Sequence, residues 1–272
     1  MKKYFILTII LSLGLFSSCE EVIDLSLDTA APRLVIDAAI DWEKGTSGSI
    51  QTIRIHKTTG FYSNVIPPVS GAIVTVENSA GFFFTFNETE PGLYVCFNFI
   101  PEMDETYFLT VVVEGETYTA NEIMRAVPVI NRIEQEEVAG FTGTDIEVKF
   151  FFNDIPNETN FYLGRYITPL KSFPEFDPFE DRFYENNELF GFYSNEDLEA
   201  GININFTLFG ISQNYYNYMR ILLGQTSENN GSPFQSPPAT VRGNVVNQTN
   251  FNNFALGFFR VCEKVTVDYI VQ

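Results

Sequence analysis

The 272-residue chain has one histidine, His56, one tryptophan, and cysteines only at positions 19, 96 and 262. A single imidazole excludes multi-histidine metal centres. Basic residues are scarce, 16 against 35 acids, and the formal charge is −19. Such a surface repels phosphate backbones, which excludes nucleic-acid binding as the main role. The sequence lacks the Gly-x-Ser-x-Gly elbow, HExxH, GxGxxG, the Walker loop and Cys-x-x-Cys, so the common signatures of nucleophilic, metal and nucleotide chemistry are missing. Apolar material, in contrast, is ample. Hydrophobic residues make up 45% and charged ones 19%, enough to build a core and unlike a disordered tail. Aromatics reach 15%, mostly phenylalanine, a composition that favours strands.

The apolar run Tyr4–Phe16 is 13 residues long, too short to span a bilayer, which takes about 20. It follows Met1-Lys2-Lys3 and precedes Ser17, Ser18 and Cys19. A basic start, a short apolar stretch and a small pair read as a cleaved secretory signal over residues 1–18. The cysteine directly after the small pair makes it a lipoprotein signal, with Cys19 as the lipid-attachment residue and the first residue of the mature chain. Cleavage removes two lysines and leaves a formal charge of −21. Residues 19–31 form a tether. Cys96 and Cys262 lie in strand-like apolar segments and read as buried free thiols, although an exported protein also permits a bridge.

From Pro32 onward, alternation of period two predicts strands. Ile53 and Ile55, then Phe82, Phe84 and Phe86, then Leu93, Val95 and Phe97 each share a face. Tyr107–Glu114 turns at Gly115 into Thr117–Asn121, a hairpin. Seven strands are expected over about 95 residues, a spacing typical of an immunoglobulin- or fibronectin-like sandwich. Val127-Pro128 closes this module, because proline cannot donate in a central strand. The expected fold is therefore all-β, with two sandwich-like modules: 32–127, immunoglobulin-like, and 128–272, larger and carrying one helix. Strands are expected at Ile146–Phe152, Phe161–Ile167 and Ile202–Leu208, and as a closing pair at Phe254–Val261 and Val265–Val271. The helix, near 213–224, takes Ser212 as its N-cap, repeats apolar residues at Tyr215, Tyr218, Met219, Leu222 and Leu223, and stops at Gly224. Residues 172–200, acidic and studded with aromatics, read as a long loop or loose hairpin.

The order of these features resembles a Bacteroidota family of outer-membrane lipoproteins of unknown function. The matching pieces are Cys19 with Val22-Ile23-Asp24-Leu25, Arg33-Leu34-Val35-Ile36, Gly92-Leu93-Tyr94, Glu105-Thr106-Tyr107, Tyr118-Thr119-Ala120, the segment Tyr215–Leu223, Ser232-Pro233-Phe234 with Pro237-Pro238, Gly243-Asn244, and Leu256-Gly257-Phe258-Phe259. Ala38-Ala39 departs from the family's usual Glu-Gly, and Phe258 from its usual Tyr. The resemblance implies a neighbourhood rather than a reaction. Genes of this family commonly sit beside those for TonB-dependent receptors, which implies such a receptor as partner and the membrane as anchor through the N-terminal lipid. Glu20-Glu21, directly after the lipid-bearing cysteine, resembles the surface-export signal of such lipoproteins and implies a cell-surface location.

Site chemistry has few candidates. His56 stands beside Arg54 and Lys57, which disfavour the imidazolium that a catalytic triad forms. Asp177, Glu180 and Asp181 offer oxygens for Ca²⁺ or a carboxylate pair for glycoside hydrolysis, but their spacing fits no EF-hand, and a solvated acidic loop accounts for them. No catalytic residue, metal or cofactor is expected. The expected role is that of a non-catalytic accessory to a TonB-dependent receptor, aiding nutrient capture or assembly. The alternative is a surface lipoprotein that binds a glycan or other ligand by itself.

Overall fold

A computed structural model of the chain describes residues 31–60, 63, 65–139, 143, 145–156, 158–182, 188–226 and 240–272. Cys19, the signal segment and nearly all of the tether lie outside the described residues, as do Phe183, Tyr184 and the stretch from Ser232 to Pro238. Residues Pro32–Gln272 cluster as one unit. The chain is all-β, with one helix among the described residues.

The seven strands expected first are all present: β1 (Leu34–Glu43), β2 (Gln51–Lys57), β3 (Ile73–Asn78), β4 (Phe83–Glu90), β5 (Leu93–Cys96), β6 (Thr106–Val113) and β7 (Glu116–Ile123). The β6–β7 hairpin turns through Glu114 and Gly115, both at positive φ, the combination that matches a two-residue turn to strand twist. β1, β2 and β5 form one layer, and β3, β6 and β7 the other. β4 belongs to both: its start pairs with β3, its end with β5, and the register shifts between Glu88 and Glu90. A bulge bends a strand and lets it change sheets. Ile36, Ile53, Val74, Val76, Phe84, Leu109 and Tyr118 fill the space between the layers.

The remaining strands are β8 (Ile130–Ala139), β9 (Asp145–Asn153), β10 (Phe161–Ile167), β11 (Glu175–Glu180), β12 (Glu188–Ser194), β13 (Asn203–Ile211), β14 (Val246–Asn247) and β15 (Phe259–Ile270). Sheet order is β11-β10-β13-β15-β1-β2-β5-β4-β3-β6-β7-β14 in a twelve-stranded sheet, with β12-β9-β8 forming a second sheet. The second core, with Phe150, Phe152, Tyr162, Tyr166, Phe206 and Leu208, is rich in stacked rings.

Three sequence expectations need correction. The closing pair of strands is one strand: β15 runs unbroken from Phe259 to Ile270. Its first half, with Phe259 and Val261, faces the first core, and its second half, with Val265, Val267 and Tyr269, faces the second. The region 172–200 is not one hairpin. β11 extends the large sheet and β12 pairs with β9 in the small one. The helix α1 (Gln213–Thr226) continues past Gly224, which therefore is not its stop. Ser212 does cap it: its Oγ accepts the Tyr215 N–H at 3.1 Å.

The strand that joins the cores is also their electrostatic tie. Glu263 in β15 is buried, pairs with Lys44 Nζ at 2.6 Å and accepts the Val127 N–H at 3.0 Å, while Lys44 donates to the Val127 carbonyl at 2.9 Å. Both backbone groups of the residue where the chain enters the second core are thereby satisfied.

Candidate functional site: a cleft floored by two arginines

Alternation along β1 decides which side chains meet in the site. Leu34, Ile36, Ala38 and Ile40 point into the first core, so Val35, Asp37, Ala39 and Asp41 line the opposite face. β15 runs parallel to β1 in a register that sets Arg260 against Ala39 and Cys262 against Asp41. β13 and β10 extend this face with Phe209 and Arg165. α1 packs over it through Tyr215, Tyr216 and Met219, against Phe209, Ile211, Leu163, Phe258 and Cys262. Between helix and sheet lies a cavity of about 800 Å³, well within the range of small-molecule sites. Phe176, Tyr218, Leu222, Leu256 and Phe258 give it apolar walls.

The polar groups lie on the floor. Arg260 grips Asp41 bidentately, Nε to Oδ1 at 2.9 Å and Nη2 to Oδ2 at 2.6 Å, and its Nη1 donates to the Tyr215 hydroxyl at 2.6 Å. The pair is largely buried. Burial acts to raise the Asp41 pKa, but the adjoining guanidinium outweighs it and holds the carboxyl below the ordinary carboxylate range. Cys262 Sγ approaches Asp41 Oδ1 at 3.4 Å, and burial, together with that carboxylate, pushes its thiol well up. Such a thiol is packing material and not a nucleophile. Cys96 is likewise buried, and no disulfide joins it to another described residue.

Arg165, half-buried on β10, is the second guanidinium. Its Nη2 donates to Thr207 Oγ1 at 2.9 Å, and its Nε is buried with no hydrogen-bond acceptor among the described residues. Both arginines lie near the Phe209 ring, at 5.5 and 5.1 Å from its centroid, within cation–π range. Burial lowers the Arg165 pKa, a sign of a cation short of compensation.

His56 lines the same cleft. Burial lowers its pKa, Asp37 opposes and Arg54 adds to the lowering. The imidazole is therefore less basic than a free one, in spite of Asp37 beside it. No serine or cysteine nucleophile lines the cavity among the described residues.

The acidic candidates do not converge. Asp177 is exposed on β11, Glu180 pairs with Arg182 at 3.2 Å, and Asp181 is fully buried, with Oδ2 accepting the Asn160 N–H at 2.8 Å and its Nδ2 at 3.1 Å. Among the described residues, no group of three or more His, Cys, Asp and Glu side chains is placed to hold a metal. The aromatics of this region divide: Tyr193 and Phe179 pack into the second core, while Phe173, Phe190 and Phe192 are exposed. Sequence reading missed Arg165, Arg260 and Asp41. The available signal was confined to β1, where Asp37 and Asp41 alternate with Ile36, Ala38 and Ile40; β10 and β15 carry no such pattern around Arg165 and Arg260.

Comparisons with known proteins add a family and little else. The profile of a domain of unknown function, DUF4249, matches residues 20–267. No curated protein matches the chain. Among solved structures, a DUF4785 family protein from Legionella pneumophila is 8% identical with a TM-score of 0.28, over 65% of this chain and 52% of that one. The chain thus spans about half the length of that protein. A two-domain fibronectin type-III segment of chicken tenascin is 9% identical with a TM-score of 0.23, covering 66% and 90%. The FN1–FN3 domains of chicken CNTN1 are 13% identical at 0.25, covering 68% and 63%. Likenesses at TM-scores this low carry no argument about function.

Proposed function

The chain belongs to the DUF4249 family, and from that membership we propose that it is a lipid-anchored protein of a Bacteroidota outer membrane, facing the cell surface, that works by binding and not by catalysis, as an accessory to a TonB-dependent receptor. Cys19 carries the lipid. The observation that supports docking is the outer face of β4-β3-β6-β7-β14. Cross-strand registers set Thr85, Thr75, Thr110, Thr119 and Val246 in one row. Phe83, Glu77, Phe108 and Asn121 form the row on one side, and Ile73, Val112 and Thr117 the row on the other. Phe83 is 67% and Ile73 64% exposed. In a chain with 35 acids, these three rows hold one, Glu77. A broad, weakly charged sheet face with exposed rings suits a protein interface.

The test has two arms. Growing cells labelled with an alkyne palmitate are expected to label the protein, and Cys19→Ser to abolish the label. Crosslinking of the full-length tagged protein in native membranes is expected to recover a β-barrel receptor, and Phe83→Asp with Thr110→Asp, both on the solvent side of the sheet, to lose it. Absence of acylation, or of any receptor among the crosslinked products, overturns the proposal.

A second reading, a surface lipoprotein that binds a ligand by itself, is favoured by one observation: the apolar cleft with polar groups gathered on its floor. Calorimetry against candidate ligands separates the two readings.

A further inference from the structure

We infer that the cleft between α1 and the large sheet takes an apolar molecule bearing a carboxylate, with Arg165 as the group that receives the anion. The inference rests on the ligand-binding reading of this cleft and names the chemical class of the ligand.

Three observations carry it. First, Arg165 has no carboxylate partner among the described residues, although acids outnumber bases about two to one in the chain. The nearest candidates are already engaged. Asp41 gives both oxygens to Arg260, and Glu43 accepts from the Thr266 N–H at 2.9 Å and the Thr266 hydroxyl at 3.0 Å while pairing with Lys264. Second, the Nε of Arg165 is buried without an acceptor among the described residues. A buried donor left unmade is costly, and a guanidinium donates most effectively as a two-pronged fork to a carboxylate. Third, the space around it is apolar and drug-sized, walled by Phe176, Tyr218, Leu222 and Phe258. A site of this kind selects a molecule whose body is apolar and whose one anionic group fixes its orientation.

The pairing of the two arginines sharpens the assignment. Arg260, locked to Asp41 and Tyr215, is a fixed wall that shapes the floor. Arg165, which makes one side-chain hydrogen bond among the described residues, to Thr207, keeps its remaining donors for the ligand.

The probe pair is 1-naphthylacetate and 1-naphthylacetamide, equal in shape and differing in charge. Each is titrated into the full-length protein in phosphatidylcholine vesicles, with vesicles alone as the blank. The carboxylate is expected to bind at least tenfold more tightly than the amide, and added salt to shrink that difference. Arg165→Gln is expected to bring the carboxylate down to the affinity of the amide while leaving the amide unchanged. If Arg165→Gln fails to fold, Leu222→Trp, at a partly exposed wall position of the helix, provides the second variant and is expected to weaken both probes by filling the cavity. Equal affinities of the two probes for the wild-type protein overturn the anion assignment while leaving a binding cleft. Absence of binding by either probe overturns the assignment and the ligand-binding reading together.

Discussion

Ser212 donates its hydroxyl proton to Glu122 Oε2 at 2.8 Å while accepting the Tyr215 N–H at 3.1 Å. One side chain therefore caps α1 and ties it to β7, an element 90 residues earlier. The cap satisfies a backbone donor that the first helical turn leaves free. The tie satisfies a carboxylate that is otherwise buried. Ser212→Ala removes both. The loss is expected to exceed an ordinary cap deletion of about 1 kcal/mol and to approach about 2 kcal/mol, because Glu122 is left short of a donor. Urea unfolding of the variant and the wild type measures the difference, and Ser212→Thr, which keeps the hydroxyl, is expected to recover most of it.

Glu122 also gives the fold a pH dependence of known sign. Burial raises its pKa above the ordinary 4.5, and the bonds from Ser212 and the Ile123 N–H, with Arg125, recover only part of the cost. A carboxyl whose folded pKa is raised binds its proton more tightly in the folded state. Its contribution to stability is thus fully present below about pH 4.5 and is lost as pH rises through the folded value. Glu122→Gln removes this dependence. The variant is expected to gain on the wild type as pH increases from 4 to 7, with the gap widening monotonically in urea midpoints. A constant gap would mean that Glu122 ionises in the folded protein as it does in the unfolded chain.

The Asp41–Arg260 pair is expected to be a weak source of net stability and a strong source of position. Removing one member leaves the other charge buried in the cleft floor, so Arg260→Met is expected to cost about 3 kcal/mol. Asp41→Asn combined with Arg260→Met is expected to cost less than the two single changes added together, because neither charge is then left alone. A double-mutant cycle by urea denaturation reads this coupling. Additive costs would show that the two side chains act separately.

Much of the strand pattern was legible because burial and side-chain direction obey one rule along a strand. Ile53 and Ile55, or Phe84 and Phe86, announce their faces locally, and the helix announced its start through Ser212. What was not legible depends on partners far away in the chain. β15 reads as two strands because the loss of its strongly apolar pattern at Glu263-Lys264 looks like a turn. In the structure Glu263 is held by Lys44 and Val127, and Lys264 lies across from Phe209. β8 is not legible because its apolar residues, Ile130, Ile133 and Val138, do not alternate: the pairing with β9 shifts register between Ile130 and Arg132 and between Glu137 and Ala139, and the residues between are mostly charged. The cleft was invisible for the same reason: Asp41 and Arg260 are 219 residues apart, and only the parallel pairing of β1 with β15 makes them neighbours. The fold also puts His56 at the cleft beside Asp37, a place that its sequence neighbours Arg54 and Lys57 do not reveal.

The last prediction concerns the backbone that closes the cleft. Gly257 adopts φ +92, and a Cβ there would lie 2.2 Å from the Ile36 carbonyl oxygen. That carbonyl belongs to β1, against which the 256–258 segment runs: the Ile36 N–H donates to Leu256 O at 2.9 Å and the Ala38 N–H to Phe258 O at 3.2 Å. The segment has little room to retreat, because moving it breaks these bonds and shifts Leu256 and Phe258 from the cleft wall. Gly45 has a similar φ of +83 with open space around it. Gly45→Ala therefore isolates the conformational cost of a positive φ, about 1–2 kcal/mol. Gly257→Ala carries that cost and the collision, and is expected to destabilise by at least about 2 kcal/mol more than Gly45→Ala. Urea unfolding of both variants gives the comparison. Equal losses would mean that the β1 backbone yields freely at Ile36, in which case the cleft wall is soft and its shape is set by whatever occupies it.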